Sequence, residues 1–86
     1  MLSARRGDAA SPETEAWARE IVRDVDPAVG VTVIFEADSN TFIVRLAKEP
    51  RVLVFRLSAA QVHEDGREAE CEKTLRRKIR DLSNLL

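Results

Sequence analysis

Several residue types are scarce in this sequence of 86 residues, and each scarcity excludes a class of protein. The single cysteine cannot form an internal disulfide, so nothing indicates an oxidising compartment. No apolar run approaches the roughly 20 residues that span a bilayer. The first ten residues also lack the continuous apolar segment of a secretory signal. These absences predict a cytoplasmic protein that has no membrane partner.

The residues that usually carry chemistry are equally scarce. The three glycines lie far apart in the sequence, so they form no phosphate-binding loop. His63 is the only histidine, and beside two acidic residues it is predicted to be a solvated surface residue. Cys71 lies between Glu70 and Glu72 on an apolar stripe, which favours a small buried hydrophobe over a reactive thiol. We therefore expect no metal, no cofactor and no catalytic residue.

The composition is that of one small globular domain. Apolar residues make up 44% of the chain, charged residues 34%, and the net charge is −1. A chain of this length has a thin core, which oligomerisation could complete. The near-zero net charge gives no general attraction to nucleic acid or to anionic membranes.

The centre of the chain predicts a sheet. Residues 31–36, 41–46 and 51–57 alternate β-branched or aromatic residues with others, as strands do. Polar segments at 38–40 and 48–50 have hairpin length, so successive strands are expected to be antiparallel neighbours.

A helix is predicted before the sheet. Residues 1–10 lack periodicity and are predicted to be a disordered tail. Ser11 and Pro12 favour a helix start, in which the serine hydroxyl accepts bonds from free backbone N–H groups. Asp26 should end the helix, because Pro27 disfavours a helical conformation in the residue before it. The apolar residues recur every four positions, at Trp17, Ile21 and Val25.

After the sheet, Ser58 and Gln61 match a capping box and start a second helical region. Two alternatives remain open for it. One continuous helix to about Asn84 would tolerate Gly66 at a cost of roughly 1 kcal/mol. The favoured alternative is a break at Asp65–Gly66 and a second helix from about residue 68, because Asp-Gly is typical of turns. An apolar stripe marks this last helix: Cys71, Leu75, Ile79, Leu82 and Leu86.

The predicted fold is therefore α+β, a single domain over residues 11–86. Its elements are a helix, a three-stranded antiparallel meander and a C-terminal helix, either continuous or split near Gly66. Double-stranded-RNA-binding domains resemble it in the order of elements alone. The resemblance implies basic residues at the start of the last helix, but residues 64–72 here are mostly acidic.

The last third of the chain divides by charge. Residues 58–72 carry five acidic residues and one basic residue, and residues 73–86 carry five basic residues and one acidic residue. This arrangement complements a helix dipole. The alternative is a nucleic-acid or anion-binding face, because four of the bases share one side of the helix: Lys73, Arg76, Arg77 and Arg80.

Alternation along the strands divides the sheet into two faces. The bulkier set is predicted to form the core with the helices: Val31, Val33, Phe35, Phe42, Val44, Leu46, Leu53, Phe55 and Leu57. The opposite face is more apolar than a solvated surface requires. Its candidate interaction residues are Ile34, Ile43, Arg45, Val52, Val54 and Arg56. One helix on each face, or a folded-back N-terminal tail, would also cover it.

The sequence thus favours a non-enzymatic module that binds a second copy of itself, as a homodimer, or another protein. The contact would use the second sheet face or a strand edge. Nucleic acid is the disfavoured partner.

Overall fold

The computed structural model describes residues 10–63 and 67–84. The elements in chain order are α1 (Ser11–Val25), β1 (Gly30–Glu36), β2 (Thr41–Lys48), β3 (Arg51–Ser58), α2 (Ala59–His63) and α3 (Glu68–Asn84). The predicted α+β fold, with its antiparallel meander between helices, is confirmed. Residues 1–9 of the predicted tail lie outside the described residues.

The first helix begins differently from the prediction. Ala10, assigned to the tail, is completely buried and stands at the N-cap position. Ser11 is already helical, and its hydroxyl has no hydrogen-bond partner within the described part of the chain. The predicted serine cap is wrong, because a capping side chain needs a residue with non-helical backbone angles. The end of α1 is confirmed, since Asp26 is extended.

The sheet has the order β1-β2-β3, with both neighbouring pairs antiparallel. Glu36 pairs with Thr41 across residues 37–40, where Asn40 adopts a left-handed conformation (φ 51°) that asparagine tolerates. Lys48 pairs with Arg51, so the second hairpin turns over two residues. Both turns lie within one residue of the predicted connectors.

All the helices pack on one face of the sheet. Helix α1 lies against β1, and α3 contacts α1, β2 and β3. Between them, Phe42, Val44 and Leu46 of the central strand are completely buried. The predicted core face is therefore confirmed, and the alternative of one helix on each face is wrong. Four predicted core residues are only partly buried at its margin: Trp17, Phe35, Leu53 and Phe55.

The C-terminal helical region is split, as favoured. Helix α2 ends at His63 and α3 begins at Glu68, while Asp65 and Gly66 themselves lie outside the described residues. The Ser58 hydroxyl accepts a bond from the backbone N–H of Gln61 (3.4 Å), which confirms the predicted helix start. The apolar stripe of α3 is buried at Cys71, Leu75, Ile79 and Leu82.

The prediction of a solvated His63 is wrong. The side chain is half-buried, because α2 brings its ring against Phe42, with 5.6 Å between ring centroids. Its Nε2 lies 2.8 Å from Oγ1 of Thr14 in α1. The Thr14 hydroxyl donates its only proton to the carbonyl of Ala10 (2.7 Å), so Nε2–H is the donor in the contact with Thr14. This bond links α2 to the start of α1.

Asp26 joins three elements at the other end of α1. One carboxylate oxygen accepts bonds from Nζ of Lys48 (2.8 Å) and from the hydroxyl of Ser83 (2.7 Å). The other oxygen accepts from the backbone N–H of Ala28 (3.0 Å). The hydrogen bond from Lys48, followed by those from Ser83 and Ala28, lowers the pKa of Asp26 to about 2.

Val44 and Val54 offer a matched test of the two faces, because Val44 is completely buried while Val54 is 58% exposed. Val44→Ala should lower the free energy of unfolding by about 2–3 kcal/mol, the sum of lost burial and a residual cavity. Val54→Ala on the opposite face should change it by roughly 0.5 kcal/mol or less. Urea denaturation at low protein concentration measures both, and equal losses would contradict the assignment of faces.

Asp26→Asn should lower the melting temperature at neutral pH, because it removes the charge that Lys48 and Ser83 stabilise. The folded pKa, about 2, lies below the ordinary value of 3.8, so the carboxylate stabilises the fold fully above pH 4. That stabilisation is lost as the pH falls towards 2, so the difference from wild type should narrow. Thermal melts across this range test it, with Asp38→Asn in the exposed first turn as control. A difference independent of pH would contradict the role of the charge.

Candidate interaction surface

The side of the sheet that faces away from the described helices, here called the open face, consists of the side chains that alternate with the core residues: Thr32, Ile34, Glu36, Thr41, Ile43, Arg45, Val52, Val54 and Arg56. The most exposed large hydrophobic side chains in the described ranges all lie on it. Ile34 is 64% exposed, Val54 58% and Val52 50%. The open face is therefore both apolar and accessible.

Strand register sets the layout of the open face. Ile34 lies opposite Ile43, so two aliphatic side chains adjoin across β1 and β2. Val54 lies opposite Arg45, and Val52 precedes Val54 by one side-chain step along β3. Arg45 is exposed, and it has no ion-pair partner within residues 10–63 and 67–84. An uncommitted arginine bordered by aliphatic side chains is typical of the composition of protein interfaces.

The second arginine of the open face is already engaged. Arg56 on β3 donates to Glu36 on β1 at 2.6 Å, reaching over the central strand. The hydroxyl of Ser39 donates to the same carboxylate oxygen at 2.7 Å. The bond from Arg56, and to a smaller extent the bond from Ser39, lowers the pKa of Glu36 below its ordinary value. The pair therefore closes one end of the open face with a polar bridge.

The two edges of the sheet differ. On β1, the backbone N–H of Val33 donates to a carboxylate oxygen of Glu15 in α1 (3.1 Å), so this N–H points away from β2. Glu15 is itself held by Arg19 (2.8 Å). A carboxylate on an outward N–H hinders the addition of another strand at that edge.

The outer edge of β3 has no such cover. The backbone groups of successive residues in an antiparallel strand point alternately to one side and the other. Since the N–H of Val33 points away from β2, its partner Val44 bonds with β3, and so do Phe42 and Leu46. On β3, the residues that alternate with their partners therefore direct their backbone groups outwards: Val52, Val54 and Arg56. Across the described parts of the chain, no hydrogen bond occupies these outward groups.

The basic face of α3 is only partly available. Lys73, Arg77 and Arg80 are exposed on one side of the helix, as predicted. Arg76 is instead half-buried, and donates to Asp24 of α1 (2.7 Å) and to Glu72 (2.9 Å). The bonds to these carboxylates, Asp24 first, raise the pKa of Arg76. Arg76 is turned towards α1, so its bond to Asp24 links α3 to α1.

Cys71 lies in the core, as the apolar stripe predicts. Burial, and then the negative charges of Glu70 and Glu68, raise the pKa of its thiol, which disfavours the reactive thiolate. The described residues contain no group of three or more potential metal-ligating side chains. None of their helices combines the length and apolar character needed to cross a membrane.

No protein-family model, curated protein or solved structure matches this chain. Its functional interpretation therefore depends on its own residues. Sequence reasoning found the side chains of the open face but missed the role of Glu15. No local signal identifies that role, since the bonded N–H lies 18 residues further along the chain.

Arg56→Gln should raise the pKa of Glu36 towards its ordinary value, because the largest cause of its lowering is the bond from Arg56. Arg45→Gln removes an equal charge from the same face, and Arg45 has no bond to Glu36, so it should have the smaller effect. Carboxyl-carbon NMR titration of both variants measures the pKa directly. Equal shifts would show that general electrostatics, and not this bridge, governs Glu36.

Proposed function

We propose that this protein is a non-enzymatic interaction module that self-associates through the open face and the adjoining outer edge of β3. The observation that carries the proposal is the exposure of Ile34, Val54 and Val52, at 64%, 58% and 50%, on a single face. Isolated apolar side chains are ordinary on protein surfaces, whereas aliphatic residues grouped on one face and bordered by charge are typical of association sites.

The energetics support a contact larger than these three side chains. Complete burial of one valine or isoleucine contributes about 1.5–3 kcal/mol. Since roughly half of each is still exposed, and self-association buries the three side chains of both copies, they offer together roughly 5–10 kcal/mol. A micromolar complex requires about 8 kcal/mol, and the cost of association, roughly 4–15 kcal/mol, must be met in addition. Further groups must contribute, and the candidates beside the aliphatic residues are Arg45 and the outward backbone groups of β3.

An anion-binding role for α3 has weaker support. Of its four predicted bases, Arg76 is neutralised by Asp24 and Glu72. The remaining three are exposed long side chains, and such residues also serve simply to solvate the outer face of a helix. The acidic residues at the start of α3 would oppose a phosphate backbone lying along the helix.

Sedimentation equilibrium over a range of concentrations tests the proposed function. The wild-type chain should associate reversibly, and Val54→Glu should weaken association at least about tenfold, because it places a charge in the contact. Ala16→Glu is the matched control: it adds the same charge at an exposed position on α1, away from the open face, and should leave association unchanged. A wild-type chain that stays monomeric at every concentration would refute the proposal.

A further inference from the structure

Strand β3 has the sequence of an interior strand but the position of an edge strand. Its four consecutive apolar residues, 52–55, present hydrophobic side chains to both faces of the sheet. Val52 and Val54 are at least half exposed, and Leu53 and Phe55 on the core side are only partly buried. In the central strand, by contrast, the core-facing side chains are completely buried. A further strand beside β3 would place side chains against these residues on both faces of the sheet.

The backbone of β3 is also available for a neighbour. The outward groups of Val52, Val54 and Arg56 face away from β2, whereas the corresponding edge of β1 carries the Glu15 carboxylate. An unpaired edge of this kind is a template for another strand. The sheet can therefore grow at β3 and is hindered from growing at β1.

We infer that β3 is the seam of a two-fold symmetric homodimer, in which the β3 strands of two copies pair antiparallel about Val54 and join two three-stranded sheets into one six-stranded sheet. This inference rests on the proposed function, and it specifies the partner and the contact. The open faces of the two copies become one continuous surface, and the helices of both copies lie together on the other side.

A second copy fits this edge because β3 is complementary to itself in that register. Pairing about Val54 sets Leu53 opposite Phe55 of the other copy, so the partly buried apolar side chains on the core side cover one another. On the open face, Val54 meets Val54, and Arg56 lies opposite Val52. No arginine lies opposite an arginine, so the symmetric pairing opposes no like charges, which would destabilise it.

Charge exchange at position 54 tests the seam, since two-fold pairing places this residue opposite its own copy. Val54→Glu and Val54→Lys should each weaken self-association at least about tenfold, because like charges then lie directly opposite. An equimolar mixture of the two variants should associate to within a few-fold of wild type, as glutamate faces lysine. Ala16→Glu, at an exposed position on α1, is the control and should associate like wild type. Ile34→Glu charges the open face on β1, away from the seam, and should weaken association less than Val54→Glu does.

Sedimentation equilibrium measures the wild-type chain, each variant and the mixture, and circular dichroism checks that each variant is folded. If Ile34→Glu weakens association as much as Val54→Glu, or if the mixture fails to restore the dimer, the seam is refuted. If Val54→Glu leaves the dimer intact, the seam is likewise refuted. In the case where Ile34→Glu and Val54→Glu weaken association alike, the proposed function stands and the contact is face to face. A wild-type chain that is monomeric throughout overturns both proposals.

Discussion

The structure depends on one packing constraint: the helices cover a single face of a three-stranded sheet. Alternation along β2 then sends Phe42, Val44 and Leu46 into a dry core, while the side chains between them reach solvent. Burial on one face supplies the main stabilisation, as expected for so small a domain. The same constraint leaves Ile34, Val52 and Val54 of the other face at least half exposed. The core and the candidate interaction surface therefore have a common origin.

Polar contacts join the helices to one another and to the sheet. Asp26 ties the end of α1 to β2 and α3, and the bond between His63 and Thr14 ties α2 to the start of α1. Glu15 connects the middle of α1 to the backbone of β1. The last contact has a second consequence, because it occupies one edge of the sheet, whereas no hydrogen bond between described residues occupies the outer edge of β3. Because α1 packs beside β1 and its Glu15 bonds the edge of that strand, a further strand is hindered from pairing at β1 but not at β3.

The charged residues divide into those committed within the chain and those that are available. Asp26, Glu36, Arg56 and Arg76 are held by short bonds to other residues of the chain. Arg45 has no ion-pair partner in the described part of the chain and lies beside the aliphatic residues of the open face. Exposed ion pairs contribute little to stability, and many contribute nothing measurable. Because Arg56 is paired with Glu36, Arg45 is the arginine of the open face that remains available for a partner.

Local patterns in the sequence determined the order of elements, the split between α2 and α3, the register of core and open faces, and the burial of Cys71. These features follow from periodicities of two and 3.6 residues and from turn chemistry, which act between near neighbours. Tertiary structure alone decided that both long helices share one face, that Ser11 does not cap α1, and that His63 is half-buried. It also decided that Arg76 bonds to Asp24 and Glu72 instead of joining the exposed basic face of α3. It also placed Glu15 on the edge of β1. The physical reason is distance along the chain, because the contacts of Glu15, His63 and Arg76 join residues 18, 49 and 52 positions apart.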